Sequence, residues 1–206
     1  MVKFYDTRLG RYVRDYKNKR LFESLSPGDI AIDCGANVGK ITRRMARRGV
    51  RVYAFEPDPN AFKALIQNVG GLEGVNCFNK AVSDHNGMAK IYFSDRYKED
   101  PEKWSIGSTL LRDKPHVDES NFALCEVLDL AEFIEKLDQP VALLKMDIEG
   151  EEIEVLNRLI DRGIIGRIGR VVVETHERFP TLKESTRALR ERIRTLGLKN
   201  IDLDWA

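Results

Sequence analysis

The sequence IAIDCGANVG at positions 30–39 decides the fold. Its first half, Ile30–Cys34, is a short apolar run typical of a buried strand. Directly after the stretch, the apolar residues follow the spacing of a helix. Gly35 and Gly39 lie between the two elements, where glycine lets the backbone turn tightly and lets a helix pack closely on a strand. Because the helix begins at the loop, its free N–H groups face a bound ligand. The stretch therefore predicts a ligand-binding loop.

The rest of the chain alternates between strand-like and helix-like patterns. Apolar residues at helical spacing follow Asp58, which can cap a helix with Pro59 at its first position. The same spacing begins again at Asp129 and is found over Glu151–Arg162 and Thr181–Leu196. Such alternation predicts an α/β protein with a Rossmann-like, doubly wound and mostly parallel sheet that carries helices on both faces. The predicted strands are Ile30–Cys34, Arg51–Glu56, Val75–Val82, Ala142–Asp147, Arg170–Thr175 and Leu198–Trp205.

Two segments break this alternation. The turn at Ser83–Gly87 joins Val75–Val82 to the apolar run Met88–Ser94, which predicts a β-hairpin. Residues 95–122 hold charged clusters and few apolar residues, so we expect a long surface excursion there, of the kind that often forms a lid. No linker or repeat marks a boundary, and residues 1–206 are expected to form a single domain.

Composition and charge narrow the class of protein. The 206 residues are 42% hydrophobic and 33% charged, as in globular proteins, and no apolar run approaches the roughly 18 residues of a membrane span. With no recognisable secretion signal, we expect a cytoplasmic protein without a membrane partner. Residues 1–25 form a basic segment, but the arginines of the first predicted helix have the spacing of a solvated face, so no nucleic-acid partner is expected. The sequence does not determine the oligomeric state, and an oligomer is possible.

Three kinds of ligand use a glycine loop of this type. A phosphate-binding P-loop is excluded, since only three residues separate Gly35 from Gly39. A dinucleotide loop stays open but is disfavoured by Asn37, which takes the place of a middle glycine. S-adenosylmethionine has an ammonium group and no phosphate, so a carboxylate at the strand tip, Asp33, favours it. Glu56 lies 21 residues after Gly35, where an acid can bind ribose hydroxyls in either cofactor class.

Five runs of the chain together point to a family. They are AIDCGANVGKITRRMARRG, VYAFEPDPNAFKALIQNV, NKAVSDHNGMAKIYFS, LLKMDIEGEEIEVL and VVVETHE. In this order they resemble the FkbM-type family of class I S-adenosylmethionine-dependent methyltransferases, over roughly residues 28–177, the expected cofactor-binding core. The resemblance implies a seven-stranded sheet with the last strand antiparallel, S-adenosyl-L-methionine as cofactor, and O-methylation of a hydroxyl on a sugar, glycoconjugate or other small natural product.

The resemblance also implies which residues bind the cofactor. Asp33 and the glycine loop would hold the methionine part, Glu56 the ribose, and Ala81 with its neighbours the adenine. The full predicted set is Asp33, Gly35, Ala36, Asn37, Gly39, Glu56, Pro57, Lys80, Ala81, Val82 and Asp147.

The candidate catalytic residues lie at the ends of two later strands. Asp147 and Glu149 follow one strand and His176 follows the next, and the carboxyl ends of parallel strands border the ligand crevice of such sheets. We expect Asp147 or Glu149 to position or deprotonate the acceptor hydroxyl. His176, with an ordinary pKa of about 6.5, is the expected general base. Carboxylates and histidine are also residue types that bind divalent cations. Their spacing in the sequence does not define a set of metal ligands, so no metal site is predicted.

Two alternatives from other classes stay open. One is a nucleic-acid methyltransferase in which arginines of the first helix contact phosphates, although no base-clamping motif such as NPPY is present. The other is a nicotinamide-dependent Rossmann oxidoreductase, which Asp33 and Asn37 disfavour.

Overall fold

The computed structural model describes residues 18–94, 97, 108–111 and 117–205. Most of the basic segment 1–25 and most of the excursion 95–122 therefore lie outside the described residues. In the described part of the chain, no helix combines the length and the apolar character needed to cross a bilayer.

The described residues form nine strands and a set of helices close to the predicted ones. Asp58 caps the helix Pro59–Val69 by accepting hydrogen bonds from the backbone N–H groups of Asn60 and Ala61, as predicted. The strands are β1 Ile30–Cys34, β2 Arg51–Phe55, β3 Val75–Phe78, β4 Lys80–Ser83, β5 Gly87–Ser94, β6 Val117–Asp129, β7 Val141–Met146, β8 Ile168–Val173 and β9 Ile201–Asp202. The helices are α1 Lys40–Ala46, α2 Pro59–Val69, α3 Leu130–Glu135, α4 Glu152–Asp161 and α5 Pro180–Thr195, with a 3₁₀ turn at Ile164–Arg167 and further helical residues at 18–23.

The central sheet has six strands in the order β3-β2-β1-β7-β8-β9. Every neighbouring pair is parallel. The chain moves outward from β1 to β3 and then returns to β7 on the other side of β1, so the winding reverses between β1 and β7. A reversal of this kind opens a crevice beyond the carboxyl ends of the two strands. The doubly wound, mostly parallel sheet is confirmed.

Helices cover both faces of this sheet, as expected. Ile32 of β1 packs in one layer with Leu156 of α4, and both side chains are fully buried. Its neighbour Ala31 points the other way and packs with Met45 of α1. Because successive residues of a strand alternate between faces, the apolar run of β1 supplies both layers at once.

The last strand differs from the expectation. β9 runs parallel to β8, with Val171 opposite Ile201 and Val172 opposite Asp202. An antiparallel contact is confined to the single bridge between Glu174 and Asp204. The reason is the connection: α5 carries the chain back along the sheet from the end of β8, so the strand that follows starts at the same edge as β8 and runs parallel to it.

The predicted hairpin is wrong. A second, three-stranded sheet has the order β4-β6-β5, so β6 lies between the two strands that were expected to pair. β6 is parallel to β4 and antiparallel to β5. The run Val75–Val82 is in fact two strands that separate at Asn79, whose side-chain amide donates to the carbonyl oxygens of Glu56 and Pro57. Residues 117–122, expected within the excursion, belong to β6.

The packing of β7 gives a test of the fold. Leu144 is fully buried in the layer beneath α4, and its replacement by alanine is expected to lower the free energy of unfolding by about 2–5 kcal/mol, through lost burial and a residual cavity. The control is Leu124→Ala on β6, where the side chain is 67% exposed and a change within about 0.5 kcal/mol is expected. Urea unfolding followed by circular dichroism measures both. Equal effects in the two variants would contradict the assigned core.

Candidate functional site

A cavity of about 300 Å³ lies beyond the carboxyl ends of β1, β2 and β7. All of the predicted cofactor residues line it except Asp33 and Gly39, and the candidate catalytic residues Asp147 and Glu149 line it as well. The small sheet closes one side through Lys80, Ala81 and Val82 of β4. The structure thus brings residues from distant parts of the chain to one place, where the sequence analysis expected the ligand crevice.

The glycine loop can approach β7 only because Gly35 has no side chain. A Cβ atom on Gly35 would lie 1.8 Å from the carbonyl oxygen of Asp147, and the residue has a φ of +74°, which favours glycine. Gly39 serves a different purpose from the predicted ligand contact. A Cβ there would lie 2.8 Å from Leu65 Cδ1, so this glycine lets α1 start close to α2.

Asp33 lies behind the loop and not in the cavity. Its side chain is fully buried, accepts a hydrogen bond of 2.7 Å from the Thr42 hydroxyl, and has one oxygen 3.1 Å from Lys145 Nζ. Lys145 also donates to the carbonyl oxygens of Cys34 and Gly35, at 3.1 and 2.7 Å. The predicted contact between Asp33 and the methionine part is therefore not formed by this geometry, since the carboxylate is committed to the lysine that supports the loop.

The Lys145 ammonium keeps its charge in this buried position. Burial lowers its pKa, but the carboxylates of Asp33 and Asp147 outweigh that effect, and the pKa lies above the ordinary value for lysine. The sequence signal for this residue is weak, since a single lysine in an apolar strand can also be solvated. What identifies its role is its place on β7, directly beside Asp33 on β1.

Glu56 is held by the backbone at the tip of β2. One carboxylate oxygen accepts from the N–H of Asn37 at 2.8 Å, and the other accepts from the N–H of Asp58 at 2.9 Å. The side chain lines the cavity although only 6% of the residue is exposed. Burial raises the pKa of this carboxyl to about 7, against the opposing effect of the two backbone hydrogen bonds. Glu56 is thus fixed in place on the cavity wall, and its contact with a ribose stays a prediction.

Asp147, Glu149 and His176 form one cluster at the ends of β7 and β8. His176 Nε2 lies 3.2 Å from Glu149 Oε2 and 3.8 Å from Asp147 Oδ1. Burial raises the pKa of Asp147 to about 6, with the neighbouring carboxylates of Glu174 and Glu149 adding to the effect of burial. The predicted convergence of these three residues is confirmed by their positions.

The predicted role of His176 as the general base does not match this arrangement. Its imidazole is 2% exposed and does not line the cavity. Burial lowers the pKa of His176, but the contacts with Glu149 and Glu152 outweigh burial and raise it to about 9. The ring therefore carries a proton at neutral pH in this arrangement and fixes the carboxylates around it.

Glu152 has a role that the sequence analysis missed. Its two oxygens accept hydrogen bonds of 2.8 Å from the N–H groups of Ile148 and Gly150, which fixes the loop between β7 and α4. Oε1 also lies 3.1 Å from His176 Nδ1. In the sequence, Glu152 is indistinguishable from Glu151, because both are acids at a helix start.

The described part of the excursion contacts the same site. Thr109 pairs with Tyr92 of β5, and its hydroxyl donates to the carbonyl oxygen of Glu149 at 2.8 Å. Ser108 donates to Asp58 Oδ2 at 3.0 Å, and both residues line the cavity. Glu177, in contrast, is half-exposed beside Arg190 and takes no part in the cluster.

Comparisons with known proteins identify the family of this chain. A family model described as "Methyltransferase FkbM domain" matches residues 33–199. The 2-O-methyltransferase NoeI of Sinorhizobium fredii is 27% identical over 139 residues, which cover 63% of this chain and 57% of NoeI. The 31-O-demethyl-FK506 methyltransferase FkbM of Streptomyces tacrolimicus is 30% identical over 189 residues, which cover 81% of this chain and 72% of that protein. The match thus spans little more than half the length of NoeI.

Solved structures share the architecture. An rRNA methylase from Streptococcus thermophilus aligns with a TM-score of 0.50 at 13% identity, covering 87% of this chain and 76% of that one. SMU.1697c from Streptococcus mutans aligns with a TM-score of 0.50 at 11% identity, covering 87% and 81%. At these identities the likeness shows a common fold. The family match over residues 33–199 shows that the chain belongs to the FkbM methyltransferase family.

Proposed function

We propose that the chain is an S-adenosyl-L-methionine-dependent O-methyltransferase that acts on a hydroxyl of a sugar, glycoconjugate or other small natural product. The observation that carries the proposal is the convergence of the Gly35 loop, Glu56 and Asp147 on one cavity in a member of a methyltransferase family. The relatives support the reaction class, since NoeI is named as a 2-O-methyltransferase and FkbM as a methyltransferase of 31-O-demethyl-FK506.

The residues of the cavity fit this cofactor. The volume of about 300 Å³ lies at the lower end of the range of ligand pockets. Among the described residues, five carboxyl groups and three lysines line the wall: Glu56, Asp147, Glu149, Glu151 and Glu174 against Lys40, Lys80 and Lys145. Lys80 pairs with Glu126 and Lys145 with Asp33, so the acidic excess suits a cationic ligand better than a pyrophosphate. When bound, S-adenosylmethionine supplies a methyl group on a positively charged sulfur.

The protein's own residues hold and orient the cofactor and the acceptor. Glu56, fixed by two backbone N–H groups, is placed to accept hydrogen bonds from ribose hydroxyls. Asp147 and Glu149 lie on the cavity wall, where a carboxylate can accept the proton of an acceptor hydroxyl. His176 is a positioning residue in this scheme, because it contacts these carboxylates from behind the wall.

Removing the charge of Glu56 tests the cofactor site. Glu56→Gln is expected to weaken the binding of S-adenosylhomocysteine about 10-fold or more, because the amide has one acceptor oxygen where the carboxylate has two. Isothermal titration calorimetry of the purified chain measures the affinity. Glu73→Gln, an exposed position beyond α2, is the control and should bind like the wild type. Saturable binding of NADH in the wild type without binding of S-adenosylhomocysteine would reject the proposed cofactor.

The affinity for S-adenosylhomocysteine is also expected to rise with pH. The pKa of Glu56, raised by burial to about 7, leaves much of the free protein protonated at this carboxyl below that pH. Only the ionised form accepts hydrogen bonds with both oxygens, so the affinity should fall by up to about tenfold per pH unit below the pKa. Calorimetry between about pH 5.5 and 8.5 measures the slope. The same slope in Glu56→Gln would assign the pH dependence to another group.

The carboxylate at the end of β7 should be needed for turnover. Asp147→Asn keeps the shape of the side chain but removes its negative charge, and kcat is expected to fall by about 10²-fold or more. The assay follows formation of S-adenosylhomocysteine with a panel of hydroxylated sugars and glycoconjugates. Asp138→Asn is the control, since Asp138 is exposed and pairs with Arg51 at the far end of the sheet. Wild-type turnover by Asp147→Asn would exclude a catalytic role for this carboxylate.

A further inference from the structure

We propose that Asp147, Glu149 and His176 form a binding site for a divalent cation at the wall of the cavity. One potential ligand atom from each of the three side chains lies within 4.8 Å of the other two. The site would deepen the proposed function, on which its catalytic purpose rests, but the binding of the ion can be measured without any methyl transfer.

The spacing of the three atoms is close to that of ligands around one ion. His176 Nε2 lies 3.2 Å from Glu149 Oε2 and 3.8 Å from Asp147 Oδ1. In an octahedral complex with bonds of about 2.1 Å, neighbouring ligand atoms are about 3 Å apart. The two distances from Nε2 are thus close to this value, and the third spacing, between the two carboxylates, lies within 4.8 Å, so one ion could draw the three side chains together and keep its other positions for water or acceptor oxygens.

The kinds of ligand indicate which ions fit. Two carboxylates and one imidazole suit Mn²⁺ and the other divalent ions that accept oxygen together with nitrogen ligands. The two carboxylates also concentrate negative charge at the proposed site, and Glu174 on the same cavity wall adds to it. Among the described residues, Lys145 near the cluster pairs with Asp33, and Arg178 is partly exposed and 4.0 Å from Glu149. The positive charge closest to the two carboxylates is that of the His176 ring, and an ion bound at the cluster would replace this charge when Nε2 releases its proton.

The surroundings of His176 support a ligand role. The ring is almost fully buried and directs Nε2 toward the two carboxylates, while Nδ1 lies 3.1 Å from Glu152 Oε1 without an aligned hydrogen bond. Histidine ligands of metals usually have a carboxylate or carbonyl at the second ring nitrogen, which fixes the tautomer and the ring orientation. Glu152 is itself fixed by the N–H groups of Ile148 and Gly150, so it is a firm support for such a ligand.

The position of the site gives the ion a chemical purpose. Asp147 and Glu149 reach the cavity, so an ion held between them can contact an acceptor hydroxyl there. A divalent cation lowers the pKa of a hydroxyl bound to it, and the hydroxyl proton passes to water or to a neighbouring carboxylate. Binding of the ion to His176 requires that the proton on Nε2 be released first. The ion would then take over the activation of the acceptor that the sequence analysis assigned to His176 as a base.

The experiment uses the full chain, freed of metals with EDTA and titrated with Mn²⁺. Electron paramagnetic resonance of the remaining free Mn²⁺ gives the affinity, and electron spin echo modulation of the bound ion reports a directly coordinated ¹⁴N. We expect one saturable site with a coordinated nitrogen. Glu149→Gln and Asp147→Asn should each weaken binding at least about tenfold, and His176→Gln should also abolish the nitrogen signal.

Controls separate the outcomes. Glu177→Gln changes an exposed carboxylate next to His176 in the chain and should bind Mn²⁺ like the wild type. Thermal unfolding of each variant shows whether it is folded, and the wild-type titration is decisive even if a variant is not. Absence of saturable Mn²⁺ binding, or equal binding by wild type and all three cluster variants, overturns the proposal. Titration of the same samples with S-adenosylhomocysteine tests the proposed function separately: S-adenosylhomocysteine binding without Mn²⁺ binding rejects only the metal site.

Discussion

The buried contact between Asp33 and Lys145 is the interaction on which the rest of the site depends. It joins the two central strands, β1 and β7, at their carboxyl ends, with Lys145 Nζ 3.1 Å from the Asp33 carboxylate. The same ammonium group donates hydrogen bonds to the carbonyl oxygens of Cys34 and Gly35, which holds the start of the loop. Removing one partner of a buried ion pair leaves an uncompensated charge, which costs about 3–5 kcal/mol. The loop is therefore fixed from the side of the sheet, by an ion pair in which Asp33 is fully buried and Lys145 borders the cavity.

The glycine loop in turn makes close backbone contacts with two other walls of the cavity. Gly35 rests against the carbonyl oxygen of Asp147, which sets the distance between the loop and the acidic cluster. Asn37 donates its backbone N–H to Glu56, which ties the loop to the end of β2. The loop thus contacts both the end of β7 and the end of β2, so a change at the loop would affect both walls of the cavity.

The sequence predicted those features whose causes are local. Helix caps such as Asp58, the glycine loop and the alternation of strands and helices in the central sheet depend mostly on neighbouring residues, and these were predicted correctly. The errors have distant causes. Asp33 turns away from the cavity because its partner comes from β7, and β4 fails to pair with β5 because β6, much later in the chain, inserts between them. Glu152 differs from Glu151 only by its position on the first turn of a helix, and one residue decides which acid faces the loop.

The distribution of charge explains why a stable fold keeps several acids so close together. Asp33 is neutralised by Lys145, but five acids and only two other lysines of the described chain line one cavity, and burial raises the pKa of two of the acids, Glu56 and Asp147. The acids are Glu56, Asp147, Glu149, Glu151 and Glu174, and the lysines are Lys40 and Lys80. Mutual repulsion of this kind opposes folding, and proteins tolerate such clusters mainly at functional sites. In the free chain the imidazolium of His176 relieves part of it. A cationic ligand in the cavity relieves more, so binding and the stability of the site are coupled: the same carboxylates that weaken the empty site strengthen the bound one.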